Sequence, residues 1–191
     1  MTDTELTRTY EGAAVPTPGT YSLDKSHSTV GFVVRHLMVS KVRGSFEEYE
    51  GVITVAEDPT QSSVTATIQM ASINTRDEQR DGHLKSGDFF EVETYPTLTF
   101  TSTKVTPAGG SDWKVEGDLT IHGVTKPVTL EVEFNGASGD PWGGKRIGFS
   151  ASTEIDREDF GITFNMALET GGVMVGKSVK IEIEAEAVLQ A

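Results

Sequence analysis

The chain contains no cysteine. Disulfides, zinc–thiolate sites, iron–sulfur clusters and thiol nucleophiles are therefore excluded. Cations are scarce as well: 16 Lys and Arg stand against 29 Asp and Glu, a formal net charge of −13. No basic run interrupts this balance, so the surface as a whole repels a nucleic-acid duplex or an anionic bilayer, and nucleic acid is set aside as a partner. Long apolar runs are missing too. Stretches such as Phe32-Val33-Val34 and Val52-Ile53 fall far short of the ~18 residues a spanning helix needs. Met1 to Thr20 holds one basic residue, Arg8, and no apolar core, unlike a secretory signal. The expectation is a cytoplasmic protein that does not span a membrane, with transient membrane contact left open.

What is present is a strict alternation of apolar and charged residues. Ser178-Val-Lys-Ile-Glu-Ile-Glu-Ala-Glu-Ala is the clearest case. Side chains on a strand point to opposite faces with a period of two, so this is a strand with one dry and one wet face. Similar segments recur around 20–23, 29–36, 64–70, 97–101, 113–122, 128–134 and 146–155. From Val42 the dry parity is even through Phe46 and odd from Tyr49 to Val55, the mark of a β-bulge that bends a strand. His122-Gly123-Val124-Thr125 reads as a tight hairpin turn. About eight full strands and one short one, with no long helical pattern, predict an all-β fold: an antiparallel sheet closed into a barrel. At 191 residues this is one domain over 19–191, after a loose polar leader over 1–18.

Two inserts break the meander. Thr75 with Glu78 three residues on is a capping-box pattern, and Gly87 is a stop signal, so a short surface helix is predicted over about 76–86 near one barrel end. Phe89, Phe90 and Tyr95 follow it and are candidates to close that end. The second insert, 156–176, is too long and too apolar for a simple turn.

The dry faces lack Asp, Glu, Lys and Arg, and several members are small: Ala66, Gly117, Ala151, Ala185 and Ala187. An eight-stranded barrel is just wide enough to be filled by side chains or to hold one small ligand. A filled core and an apolar lumen both remain open on pattern alone. If hollow, the wall is assigned to Val30, Phe32, Val34, Phe46, Ile68, Phe100, Leu119, Phe149 and Ile183, with His36 at the mouth. An uncharged, greasy ligand chain would suit it. The four histidines, His27, His36, His83 and His122, show no local metal-site spacing, so no metal is expected. Asp24, His27 and Ser28 superficially suggest a triad, but Asp24 reads better as a turn cap.

Several segments taken together resemble the YceI-like polyisoprenoid-binding family. These are Tyr21-Ser-Leu-Asp-Lys-Ser-His-Ser-Thr-Val-Gly-Phe leading to His36, Gly44-Ser-Phe, Ser72-Ile-Asn-Thr, Arg80-Asp-Gly-His-Leu, Asp88-Phe-Phe, Tyr95-Pro, Phe100-Thr-Ser-Thr, Gly117-Asp-Leu-Thr-Ile-His-Gly-Val-Thr and Asp159-Phe-Gly. The resemblance implies a lipocalin-like eight-stranded barrel with a helix over it, holding a long isoprenoid lipid such as an isoprenoid quinone or a polyprenyl phosphate. It implies no catalytic residues and no cofactor beyond that ligand, and many relatives are dimeric or exported. The expected function is a non-enzymatic carrier. Two alternatives stay open: a barrel enzyme with His36 as acid–base, and a filled interaction domain.

Overall fold

The structure, a computed structural model, describes residues 6–191. Thirteen β-strands are formed among them. They are β1 (Thr7–Tyr10), β2 (Ala13–Pro16), β3 (Gly19–Leu23), β4 (Thr29–His36), β5 (Ser40–Phe46), β6 (Tyr49–Val55), β7 (Ser63–Gln69), β8 (Ile73–Asn74), β9 (Thr97–Gly109), β10 (Asp112–Ile121), β11 (Val124–Gly139), β12 (Lys145–Asp156) and β13 (Val175–Leu189). Strand order runs β12-β11-β10-β9-β7-β6-β3-β13 and returns to β12, every pairing antiparallel. This is the expected closed eight-stranded barrel.

The alternation read from the sequence becomes the inside and outside of that ring. On β10, Trp113, Val115, Gly117 and Leu119 are buried while Asp112, Lys114, Glu116 and Asp118 are exposed. His122 and Gly123 form a two-residue turn with positive φ at both positions (54° and 73°), between the paired Ile121 and Val124. Such a turn matches the twist of an antiparallel ribbon. The parity change after Phe46 marks an end rather than the expected bulge: the chain leaves β5, paired with β4 and β8, and after Glu47 and Glu48 enters β6, paired with β3 and β7, with Phe46 and Tyr49 both buried. β13 carries one edge of the sheet past two partners. Its last residues pair with β3 and its first with β4. β4, β5 and β8 therefore extend the wall beyond the ring at one end. We call this the tip end, and the end holding the β9–β10 and β11–β12 turns the far end.

Two other local readings differ from the structure, and a third segment holds a residue that the sequence did not single out. First, the stretch expected as a loose leader over 1–18 contains the hairpin β1–β2, turned by Glu11 and Gly12 at positive φ; residues 1–5 lie outside the described chain. Four-residue strands carry too little pattern to be seen, and this pair is held by tertiary contacts. Val15 is 1% exposed. The Arg8 guanidinium donates to the carbonyls of Pro16 (3.2 Å), Ala56 (2.5 Å) and Glu57. Second, helix α1 (Glu78–Lys85) is capped by Asp77, whose carboxylate accepts from the Arg80 amide at 3.0 Å, not by Thr75. Arg76 at φ 63° moves the start of the helix along. Thr75 instead donates its hydroxyl and amide to Asp81 (2.6 and 2.9 Å) and accepts from the Arg80 Nε (2.8 Å).

Third, the 156–176 insert is organised by a buried cation that the sequence did not disclose. Arg157, 5% exposed, begins a 3₁₀ turn. Its guanidinium donates to the carbonyls of Gly176 (2.8 Å), Ile162 (2.8 Å) and Val175 (3.3 Å). Burial pulls its pKa below the usual guanidinium value. Arg157→Met should cost about 2–3 kcal/mol, because buried carbonyls lose their donors. Urea unfolding gives the magnitude, and faster proteolysis within 161–174 would show that the loss is local.

Candidate functional site

The barrel is packed at both ends and open between them. A main core cluster includes Ile68, Met70, Phe89, Leu98, Phe160 and Ile162, and a second one at the far end includes Tyr21, Val55, Phe134, Ile147 and Ala187. Between these layers lies a cavity of about 230 Å³ with an almost wholly apolar wall. A buried water needs ~10–15 Å³ by this measure, so the space is far larger than a packing defect. Trp113 and Leu119, both in the wall, are separated by six residues of strand, or about 20 Å of chain. The even contest between filled core and lumen is thus resolved as a hollow middle with filled ends.

Eight of the assigned wall residues line this cavity: Val30, Phe32, Phe46, Ile68, Phe100, Leu119, Phe149 and Ile183. Val34 and His36 do not. β4 runs on past the packed layer at the tip end, and both residues sit half-buried on that extension, paired with Val42 and Ser40 of β5. His36 is therefore on the strand extension and not among the residues that line the cavity. Phe89, Phe90 and Tyr95 lie at the tip end, outside the wall. Phe89 packs against His83 and Phe164 at 5.1 Å between ring centroids in each case, and Tyr95 lies edge-on to His122 at 4.7 Å. Phe90 is half-buried against the main core.

The small residues divide in use. Ala66, Ala151 and Ala185 line the cavity, while Ala187 is fully buried in the far-end layer. Gly117 faces inward, and a Cβ there would lie 2.5 Å from the Phe100 ring and 2.6 Å from the Thr101 carbonyl oxygen. The tip of the Phe100 ring thus occupies the space a side chain at 117 would fill. Val115, Leu130, Val132 and Ile181 also line the cavity and share the inward parity already read. Val15 and Pro16 of β2 line it too, a contribution without a sequence signal. Together with the contact of Tyr10 on Trp113 (6.1 Å), they make the N-terminal hairpin a cover over the far end.

The chemistry of this wall is that of a container. Among the described residues its single charged member, Glu50, is exposed. The Tyr49 hydroxyl donates to the Ser28 carbonyl at 2.9 Å, and burial raises its pKa, which keeps it a neutral phenol. The Arg80 guanidinium is engaged with Thr75, donating also to its carbonyl at 2.7 Å.

The Asp24–His27–Ser28 trio lies apart from the cavity. Asp24 accepts from the Ser26 amide (2.9 Å) and hydroxyl (2.6 Å), and is bonded to His27 Nδ1 (2.9 Å) and Arg146 Nη1 (2.6 Å). It is the turn cap expected of it. Ser28 exchanges hydrogen bonds with the backbone of Glu186 rather than with His27. Arg146 also binds Glu186 (2.7 Å) and Asp140 (3.0 Å). Asp24, His27 and Glu186 could each present a ligand atom to a cation, but the Arg146 guanidinium already supplies positive charge to both carboxylates.

Residues 21–187 match the YceI-like domain family. The UPF0312 protein of Staphylococcus aureus (strain MSSA476) is 47% identical over 168 residues, covering 87% of this chain and 95% of that protein. Among solved structures, Burkholderia cenocepacia BcnA aligns with a TM-score of 0.76 at 25% identity, over 86% of this chain and 98% of its own. The Campylobacter jejuni YCEI protein aligns at 0.69 and 35%, over 88% and 97%. A polyisoprenoid-binding domain from Saccharophagus degradans shares the fold at 0.68 and 20% identity, over 91% and 100%. The family match begins after β1–β2, so the cover on the far end lies outside it.

Two measurements follow from this geometry. Arg8→Ala removes the donors that pin the hairpin, so hydrogen exchange over 7–16 should accelerate by about tenfold while the barrel strands keep their protection. The Asp24 carboxyl is held well below the usual carboxylate range, first by the Ser26 hydroxyl and then by Arg146 and His27. A depressed folded-state pKa stabilises above the unfolded value of about 3.9 and is lost as pH falls below it. Asp24→Asn should therefore be less stable at pH 7 and lose less stability between about pH 4 and 2, read from denaturant midpoints across pH.

Proposed function

Since this chain belongs to the YceI-like family, we propose that it is a carrier or sequestering protein for a long-chain isoprenoid lipid, either an isoprenoid quinone or a polyprenyl phosphate. The observation that carries this reading is the apolar cavity of about 230 Å³ inside the closed barrel, whose single charged lining residue among the described ones, Glu50, is exposed. The description of the Saccharophagus degradans domain as polyisoprenoid-binding agrees with it. An apolar tail entering such a wall is stabilised by loss of water contact, and no buried charge opposes it. A head group cannot follow the tail into this wall, so it stays at an end of the bore.

Turnover has little support in the geometry. A general base must reach the proton it removes, and the wall offers no histidine, carboxylate or amine directed inward among the described residues. His36, the acid–base candidate, stands on the β4–β5 extension instead. A filled interaction domain is disfavoured by the cavity itself.

Lipid extraction and mass spectrometry of the purified protein should recover a chain lipid in near-stoichiometric amount. In titrations with polyprenols of increasing length, affinity should rise by about tenfold per five-carbon unit, at ~0.3 kcal/mol per heavy atom, and then level off as the cavity fills. Ala151→Trp, which places an indole in the bore, should abolish uptake and keep the circular dichroism of the sheet. Equal affinity at all lengths, or unchanged uptake by Ala151→Trp, would refute the carrier reading.

A further inference from the structure

The loop joining β4 to β5 is Leu37-Met38-Val39, exposed by 39%, 52% and 83%. Leu37 and Met38 both have left-handed backbone, φ 52° and 62°. Turn positions of this kind are normally given to Gly, Asn or Asp, and large apolar residues there are disfavoured. A second small hairpin lies beside it. The Leu37 amide donates to the Met174 carbonyl at 2.8 Å, and Ala167 bridges to Val173. The Met38 side chain lies over Gly172. Met166, 57% exposed, extends the apolar face.

The same extension gathers positive charge. No acidic residue occurs between Lys25 and Glu47, a stretch that holds Arg35, Lys41 and Arg43. Spacing along the chain hides this cluster, and strand pairing assembles it. Arg35 and Lys41 are both exposed and directly opposite in the β4–β5 ladder, where like charges repel. Arg43 and Lys180 share Glu182 (3.5 and 3.4 Å), and Lys177 meets Glu158 (3.1 Å). The charged groups of Arg35 and Lys41 have no acidic partner among the described residues. In a chain with net charge −13, this exposed apolar tip thus carries cations without an acidic partner, whereas Trp142, exposed at the far end, stands alone.

We propose that this tip docks the protein on a bilayer surface that contains anionic lipid, with Leu37, Met38, Val39 and Met166 entering the headgroup boundary and Arg35 and Lys41 pairing with lipid phosphates. The inference rests on the carrier reading, because a chain lipid resides in a membrane and is collected or delivered there. Charge complementarity selects the occupant: the apolar loop suits the acyl boundary and the unpaired cations suit phosphate. Repulsion by the acidic remainder does not prevent contact, since salt screens it beyond ~8–10 Å.

The test is co-sedimentation of the full chain with vesicles of phosphatidylcholine alone, or of equal parts phosphatidylcholine and phosphatidylglycerol. Wild type should bind the mixed vesicles and not the neutral ones. Each cation near an anionic surface contributes roughly fivefold to partitioning, so Arg35→Glu with Lys41→Glu should reduce binding by about twentyfold or more. Met38→Asp with Val39→Asp should reduce it by at least about tenfold. Both variants should keep the uptake of polyprenol from detergent solution, which involves no vesicle. Equal partitioning of wild type and charge-reversed protein would overturn the proposal, as would wild type ignoring mixed vesicles while still taking up polyprenol. A concentration-dependent dimer lost in Met38→Asp with Val39→Asp, with vesicle binding unchanged, would also overturn it and assign the tip to a second copy. Failure of polyprenol uptake with vesicle binding intact would instead refute the carrier reading alone.

Discussion

The ladder between β12 and β13 is the constraint on which the molecule depends. It runs from Arg146 opposite Val188 to Asp156 opposite Ser178 without a register shift. Without it, the eight strands are an open sheet with one apolar face and two unpaired edges. With it, the apolar face has nowhere to be but inside. β13 is 15 residues long, enough to close the ring through β12 and β3 and still support β4 beyond it. One strand therefore sets both the enclosed container and the extension that protrudes from it.

Division of labour along the barrel axis follows. The two packed layers fill the ends, and the middle, walled by side chains such as Phe46, Phe100 and Leu119, is left hollow. The far end is covered by a hairpin that the family domain does not include, pinned by Arg8 to backbone carbonyls of the β6–β7 connection. At the tip end, the clamp of Arg157 on three carbonyls ties the long loop down and positions its hairpin beside Leu37 and Met38. Each end is held by one arginine bonded to main chain, a bond set that does not depend on which side chains neighbour it.

Much of the fold was legible because a period of two is a strong local signal. β4 begins and ends where the alternation does, and the parity change after Phe46 falls at the break at Glu47 and Glu48, which is a strand end and not a bulge. The tunnel wall was legible for the same reason, since inward parity on β10 names Val115 as readily as Leu119. Tertiary decisions were not. Whether inward residues leave a void depends on where rings such as Phe100 lie. Val34 and His36 share the dry parity of Phe32, yet they pass the end of the bore, because parity says which face a residue is on and not how far along the barrel it sits. Val15 was invisible because its strand is four residues long and derives its order from docking. Arg157 was hidden because a lone arginine in a loop has no pattern; only its carbonyl partners reveal it.

Gly117 decides where one ring of the cavity wall lies. Its missing side chain is what lets the tip of the Phe100 ring sit directly against β10. The placing of that ring is therefore governed by a residue that does not itself line the cavity. A side chain at 117 would act on the cavity at second hand, by displacing a ring of its wall.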